Sequence, residues 1–101
     1  MENSAMTMRP GSKIWIPCEV KPGPFSDERM VRVQMPGGPW LGFVETFHLR
    51  EAPEVGPTDV LATVTEVSDD EFVARLPGHA IGSAWFRGPA SRVRPVGSLE
   101  A

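Results

Sequence analysis

The sequence predicts an all-β fold built as a small barrel, and three observations carry that expectation. Apolar and polar residues alternate with a period of two along most of the chain, which is the pattern of strands with one buried face. No window of a dozen residues carries an apolar stripe at helical spacing. There are 11 Pro and 10 Gly among 101 residues, and they cut the chain into short segments as turns between strands do.

In chain order, residues 1–10 are polar, Met-rich and without period, and are expected to be disordered or to form an interaction arm. Residues 11–52 hold the first set of strands. Ile14, Ile16, Cys18 and Val20 alternate with Trp15, Pro17 and Glu19. Pro17 inside a strand pattern implies an edge or a bulge. The loop from Lys21 to Glu28 is stiffened by Pro22 and Pro24. Val31, Val33 and Met35 then alternate with Arg32 and Gln34, and Pro36-Gly37-Gly38-Pro39 supplies a turn. Leu41, Phe43 and Glu45 alternate with Trp40, Gly42 and Val44, and Trp40 is expected to lie out of phase with its core-facing neighbours, as is Trp15.

Residues 53–57 form a Pro/Gly linker, and residues 58–96 a second set of strands. Val60, Ala62 and Val64 oppose Leu61, Thr63 and Thr65. After the Ser68-Asp69-Asp70 turn, Phe72, Ala74 and Leu76 oppose Val73 and Arg75. Pro77-Gly78 is a further turn. Ala84 and Phe86 flank Trp85, Val93 and Val96 end the pattern, and residues 97–101 are a loose tail.

The two sets read alike. Val31 to Gly37 parallels Phe72 to Gly78. Ser26-Asp27-Glu28 and Ser68-Asp69-Asp70 precede them, and aliphatic-Arg pairs close them, Leu49-Arg50 and Val93-Arg94. Each half is too small to be stable alone, because short sheets with unpaired edges bury little. The expectation is two repeated meanders that share one core. Exposed edges also invite symmetric pairing, which favours a homodimer.

A family resemblance rests on these residues. Ala62 to Val67 through Val93-Arg94-Pro95 looks like the Tudor and Src-homology-3-type small barrels. Gly42-Phe43-Val44 with Leu49 resembles the closing motif of Src-homology domains. Glu45, Phe47 and His48 stand where that motif has proline, asparagine and tyrosine, so its binding of proline-rich ligands is not implied. The Tudor resemblance implies an aromatic cage for methylated cations, which needs several converging aromatic side chains. The chain has 3 Trp, 5 Phe and no Tyr. The whole also resembles small bacterial proteins of this build.

Composition narrows function. The net charge of −3 and the pI near 5.3 oppose unspecific binding to nucleic acid or to an anionic membrane. Cys18 is the single cysteine, so no internal disulfide forms and a reducing, cytoplasmic setting is expected. The first ten residues lack the apolar core of a signal peptide, and no run approaches the ~18 apolar residues of a membrane span.

The candidate ligand-binding residues are aromatic or cationic. Trp15, Trp40 and Trp85 either close the ends of a barrel or offer surfaces for stacking. Phe47 and His48 occupy the former groove positions of the closing motif. Arg75, Arg87, Arg92 and Arg94 form a positive cluster able to hold phosphate or carboxylate in guanidinium forks, or a solvated face. Cys18, His48 and His79 lack the convergent spacing of metal ligands, and Cys18 at an inward phase reads as a small core residue. No catalytic residue and no cofactor is indicated. The expected function is a non-enzymatic binding or protein-interaction module. One alternative is a nucleic-acid-binding barrel that uses Arg87, Arg92 and Arg94 on phosphates. The other is an enzyme whose site forms at an oligomer interface.

Overall fold

A computed structural model describes residues 8–34 and 39–96. The expectations for residues 1–7, for the turn at Pro36 and for the tail 97–101 lie outside the described residues. The described chain is all-β. Its strands are β1 (Lys13–Pro22), β2 (Glu28–Val33), β3 (Trp40–Glu45), β4 (Gly56–Ser68), β5 (Glu71–Arg75), β6 (His79–Ala80), β7 (Trp85–Pro89) and β8 (Arg94–Pro95). Two single 3-10 turns, Thr46–His48 and Ala90–Arg92, interrupt them. No described helix is long and apolar enough to cross a membrane.

All eight strands join one curled sheet in the order β6-β3-β2-β1-β4-β5-β7, with β8 added to β1. The long strands β1 and β4 pair antiparallel at its centre, from Lys13 opposite Thr63 to Val20 opposite Gly56. Hairpins extend the sheet on both sides, β1 to β2 and β4 to β5. The second hairpin turns through Asp69, held at φ 47°, a left-handed conformation that Asp tolerates. Past β5 the chain crosses to the far end of the sheet, where β6 pairs with β3, and returns to pair β7 with β5. Gly78 makes that crossing at φ 83°. A Cβ there would run into the Phe43 carbonyl oxygen, so only glycine fits.

The period-two pattern becomes an inner and an outer face. Ile14, Ile16, Cys18 and Val20 of β1 point into one core with Val31, Val33, Trp40, Val44, Leu49, Val60, Ala62, Val64, Phe72, Ala74, Leu76 and Phe86. This single cluster draws on both sets of strands, and its burial is the main stabilising term.

Pro17 sits at a local edge, as its ring requires. On one side of β1, pairing with β8 stops at Trp15 and pairing with β2 starts at Glu19. On the other side Pro17 lies opposite Asp59, whose carbonyl accepts the Arg50 N–H at 2.9 Å. That carbonyl therefore faces away from β1, and the Pro17 nitrogen faces the gap between β8 and β2.

Trp40 is a correction to the sequence-based expectation. It is 3% exposed and belongs to the core. Its phase follows from β2: Val33 lies opposite Trp40 and Val31 opposite Gly42, so inward valines force Trp40, Gly42 and Val44 inward. Leu41 and Phe43 take the outer face. The Trp40 ring lies across Gly42, where a Cβ would come within 2.5 Å of it.

Candidate binding site

The outer face of β1, β4, β5 and β7 brings together residues that lie far apart in the chain. Lys13 lies opposite Thr63, Thr63 opposite Arg75, and Arg75 opposite Trp85. These four form one straight rank across four adjacent strands. Strand spacing sets Lys13 and Arg75 about 10 Å apart at the backbone, with Trp85 roughly 5 Å beyond. Around the rank is a groove of about 450 Å³ lined also by His48, Leu61, Thr65, Leu76, Pro77 and Gly78. That volume falls in the range of small-ligand sites.

Each member is positioned by the ladder. Trp85 is 53% exposed because its neighbour Phe86 takes the inward phase of β7. The Ser83 hydroxyl accepts its backbone N–H at 3.0 Å. The Lys13 ammonium donates to Thr63 Oγ1 at 2.9 Å. Arg75 makes no ion pair among the described residues. A β-bulge between Val64 and Glu66 leaves Thr65 as the extra residue, and its hydroxyl donates to the Val73 carbonyl at 3.2 Å. Bulges of this kind re-aim side chains. Among the described residues no carboxylate lines the groove.

The other expected site residues separate. His48 lines the groove, and Phe47, 72% exposed, rests against it with ring centroids 4.2 Å apart. Arg87 stands next to Trp85 on the same face but spends its charge on Glu71 at 3.5 Å. Arg92 and Arg94 line a different, smaller cavity with Trp15, Pro17 and Asp59. Trp15 is half-buried there, with the Arg50 guanidinium 5.8 Å from its ring centre. Arg50 also pairs with Asp59 at 3.8 Å. The four arginines therefore do not act as one cluster. The three tryptophans do not converge either: one is in the core and the others line separate cavities. An aromatic cage is not formed by them.

Lys13, Thr63 and Thr65 were not singled out from sequence. Their outward phase was legible, but nothing local tells which residues of β1 and β4 face one another. Cys18 is buried, and burial first, then the charges of Asp59 and Glu19, push its thiol from 9.0 up to about 12. A thiol held neutral is no nucleophile.

The outer face of the first set of strands follows a different chemistry. Glu19 lies opposite Arg32 and Arg32 opposite Leu41, while Lys21 lies opposite Met30 and Met30 opposite Phe43. Ile81, 57% exposed, joins Leu41 through its N–H to the Leu41 carbonyl at 2.8 Å. Compared with known family models, curated proteins and solved structures, the chain matches none of them.

Proposed function

We propose that the protein is a non-enzymatic binding module that holds an anionic ligand in the groove around Lys13, Thr63, Arg75 and Trp85. The observation that carries this is a groove whose described lining sets two cations, Lys13 and Arg75, beside hydroxyls and an indole with no carboxylate among the described residues, on a chain of net charge −3. Two cations flanking a hydroxyl suit an oxyanion, which accepts charge-assisted hydrogen bonds from both. The indole beside them suits a flat apolar part of the same ligand.

An NMR titration tests this. Inorganic phosphate and a glutamate decapeptide should shift the Trp85 indole signal and the amides of Lys13 and Arg75, while a lysine decapeptide leaves them in place. Shifts produced by the lysine peptide alone would remove the proposal.

We also read the halves as one small-barrel plan of the Src-homology-3 type used twice, each half closed by the end of the other. Several matched features support it. Each half runs long strand, hairpin, third strand, 3-10 turn. The Thr46 N–H donates to the Asp27 carbonyl at 2.9 Å, and the Ala90 N–H to the Asp70 carbonyl at 2.7 Å. The Leu49 N–H returns to Thr46 and the Val93 N–H to Ala90. Leu49 then bridges to Val60 on β4, while Arg94 and Pro95 pair with Trp15 and Ile14 on β1. These ladders match Val31 with Ala74, since Val31 faces Val20 and Ala74 faces Val64. The sequence alignment that sets Val31 against Phe72 is two residues out of step with them.

A second surface supports self-association. Met30, Leu41, Phe43 and Ile81 form an apolar strip beside Glu19, Lys21 and Arg32. A two-fold contact must be self-complementary, and a charged rim carrying both signs meets that condition because a cation can face the carboxylate of the copy. Light scattering at rising concentration should approach twice the chain mass, and Leu41→Glu should hold it at the chain mass. A constant chain mass without substitution would exclude a dimer on this strip.

A further inference from the structure

We propose that the ligand of the Lys13–Trp85 groove is a nucleotide unit, with a phosphate between Lys13 and Arg75 and a base stacked on Trp85; this rests on the anion-binding reading above. The order of groups along the rank carries it. Cation, hydroxyl, cation and indole succeed one another across β1, β4, β5 and β7, so an anion held between the cations has an indole within reach of a flat substituent that passes Arg75. A phosphate between the cations lies at the Thr63 position, two strand spacings or about 10 Å from Trp85 at the backbone, a distance that the sugar and the base of one nucleotide together cover. A carboxylate-rich peptide would use Lys13 and Arg75 but has no need of an exposed indole in line with them. Every base has a π-face, so stacking on one tryptophan tolerates any sequence.

The other half of the sheet provides an internal control. Through the matched ladders, the rank Pro57–Glu19–Arg32–Leu41 corresponds to Lys13–Thr63–Arg75–Trp85. It has a carboxylate where the groove has Thr63, an aliphatic side chain where it has Trp85, and one cation instead of two. A phosphate there meets Glu19, and a base finds no ring. The same outer surface thus carries one rank built for a nucleotide and one that repels it.

The source is either a free nucleotide or a single strand, and both offer the same phosphate and base. With one phosphate held between the two cations, binding to a single strand should have a salt slope of about −0.7, so a fourfold rise in salt weakens it roughly threefold. The negative net charge gives no long-range attraction, so the salt dependence stays at this local value.

The experiment measures binding to the full chain of adenosine monophosphate, a labelled ten-nucleotide single strand of thymidylate and a glutamate decapeptide, by anisotropy for the strand and NMR for the others. The strand or the mononucleotide should bind. Trp85→Ala should weaken binding by roughly five- to 150-fold, the range for loss of one stacked base. Arg75→Ala should weaken binding of the strand or mononucleotide roughly tenfold or more, as expected for loss of a charge-assisted hydrogen bond, and Arg32→Ala should change nothing. Circular dichroism checks that these exposed substitutions leave the fold intact. Binding of the mononucleotide alone assigns the free source, and tighter binding of the strand assigns the polymer. Binding of the glutamate peptide with neither nucleotide overturns this inference and leaves the anion-binding reading standing. Binding of none of the three overturns both, and equal loss from Arg32→Ala and Arg75→Ala overturns the placement.

Discussion

The first and second sets of strands turn unlike surfaces to the outside of one sheet. On β1, β2 and β3 the outward positions carry Glu19, Arg32 and Leu41, a rank of mixed charge ending in an aliphatic side chain. On β4, β5 and β7 they carry Thr63, Arg75 and Trp85, and β1 adds Lys13 at the near end. Inside, both sets supply small aliphatic residues to one core, with one large ring from the first, Trp40, and two from the second, Phe72 and Phe86. The difference teaches that the backbone plan leaves the outer face free to specialise. Inward positions answer to packing density, while outward positions answer only to solvent and ligand.

The comparison can be broken at its centre. Ile16 and Val60 face each other in the β1–β4 pair and are both wholly buried. Ile16→Ala should cost roughly 2–5 kcal/mol in urea denaturation, with circular dichroism and tryptophan fluorescence falling together. Two separated transitions would mean that the halves have independent cores.

Gly78 holds the crossing from one half to the other. Gly78→Ala combines a left-handed backbone with a collision against the Phe43 carbonyl and should cost about 1–3 kcal/mol. The midpoint of thermal unfolding measures it. An unchanged midpoint would show that β6 does not depend on that tight approach.

A pH response also separates the halves. Cys18 points into the core from β1, where β4 has Ala62 opposite Ile14. Its thiol ionises at about 12 in the fold and at 9.0 when exposed. Above pH 9.0 the unfolded chain loses a proton that the folded chain keeps, so stability falls as pH rises from 9.0 toward about 12. Cys18→Ala should remove that part of the alkaline slope in urea titrations. A slope unchanged by the substitution would assign the alkaline loss to other groups.

Much of the fold was legible in the sequence, and particular residues show where legibility stopped. Ile14, Ile16, Val60, Ala62 and Phe72 announce their inward phase through alternation alone. Trp40 did not, because Leu41 and Phe43 form an equally apolar outward series. Only the pairing of β3 with β2 chooses between them, since a one-residue slip exchanges the two faces. The candidate site was half visible. Trp85 and Arg75 stand out as candidate aromatic and cation, but Lys13 joins them through a ladder partner fifty residues away in sequence.

Arg29 shows the same limit. Its guanidinium donates to the carbonyls of Ser26, Glu28, Ala52 and Pro53 and ties the first hairpin to the segment before β4. Nothing in its neighbours in sequence points to that role.

The sequence by itself determined that this chain forms strands, which residues of most strands turn inward and where several of the turns fall. These follow from the period of side-chain direction and from the torsional habits of Pro and Gly, both local properties. Only the tertiary structure decided that β1 and β4 pair at the centre, that Trp40 is core, and that Lys13, Arg75 and Trp85 share a groove while Arg92 and Arg94 do not. Those outcomes depend on register between distant strands, which is set by the packing of the whole core at once.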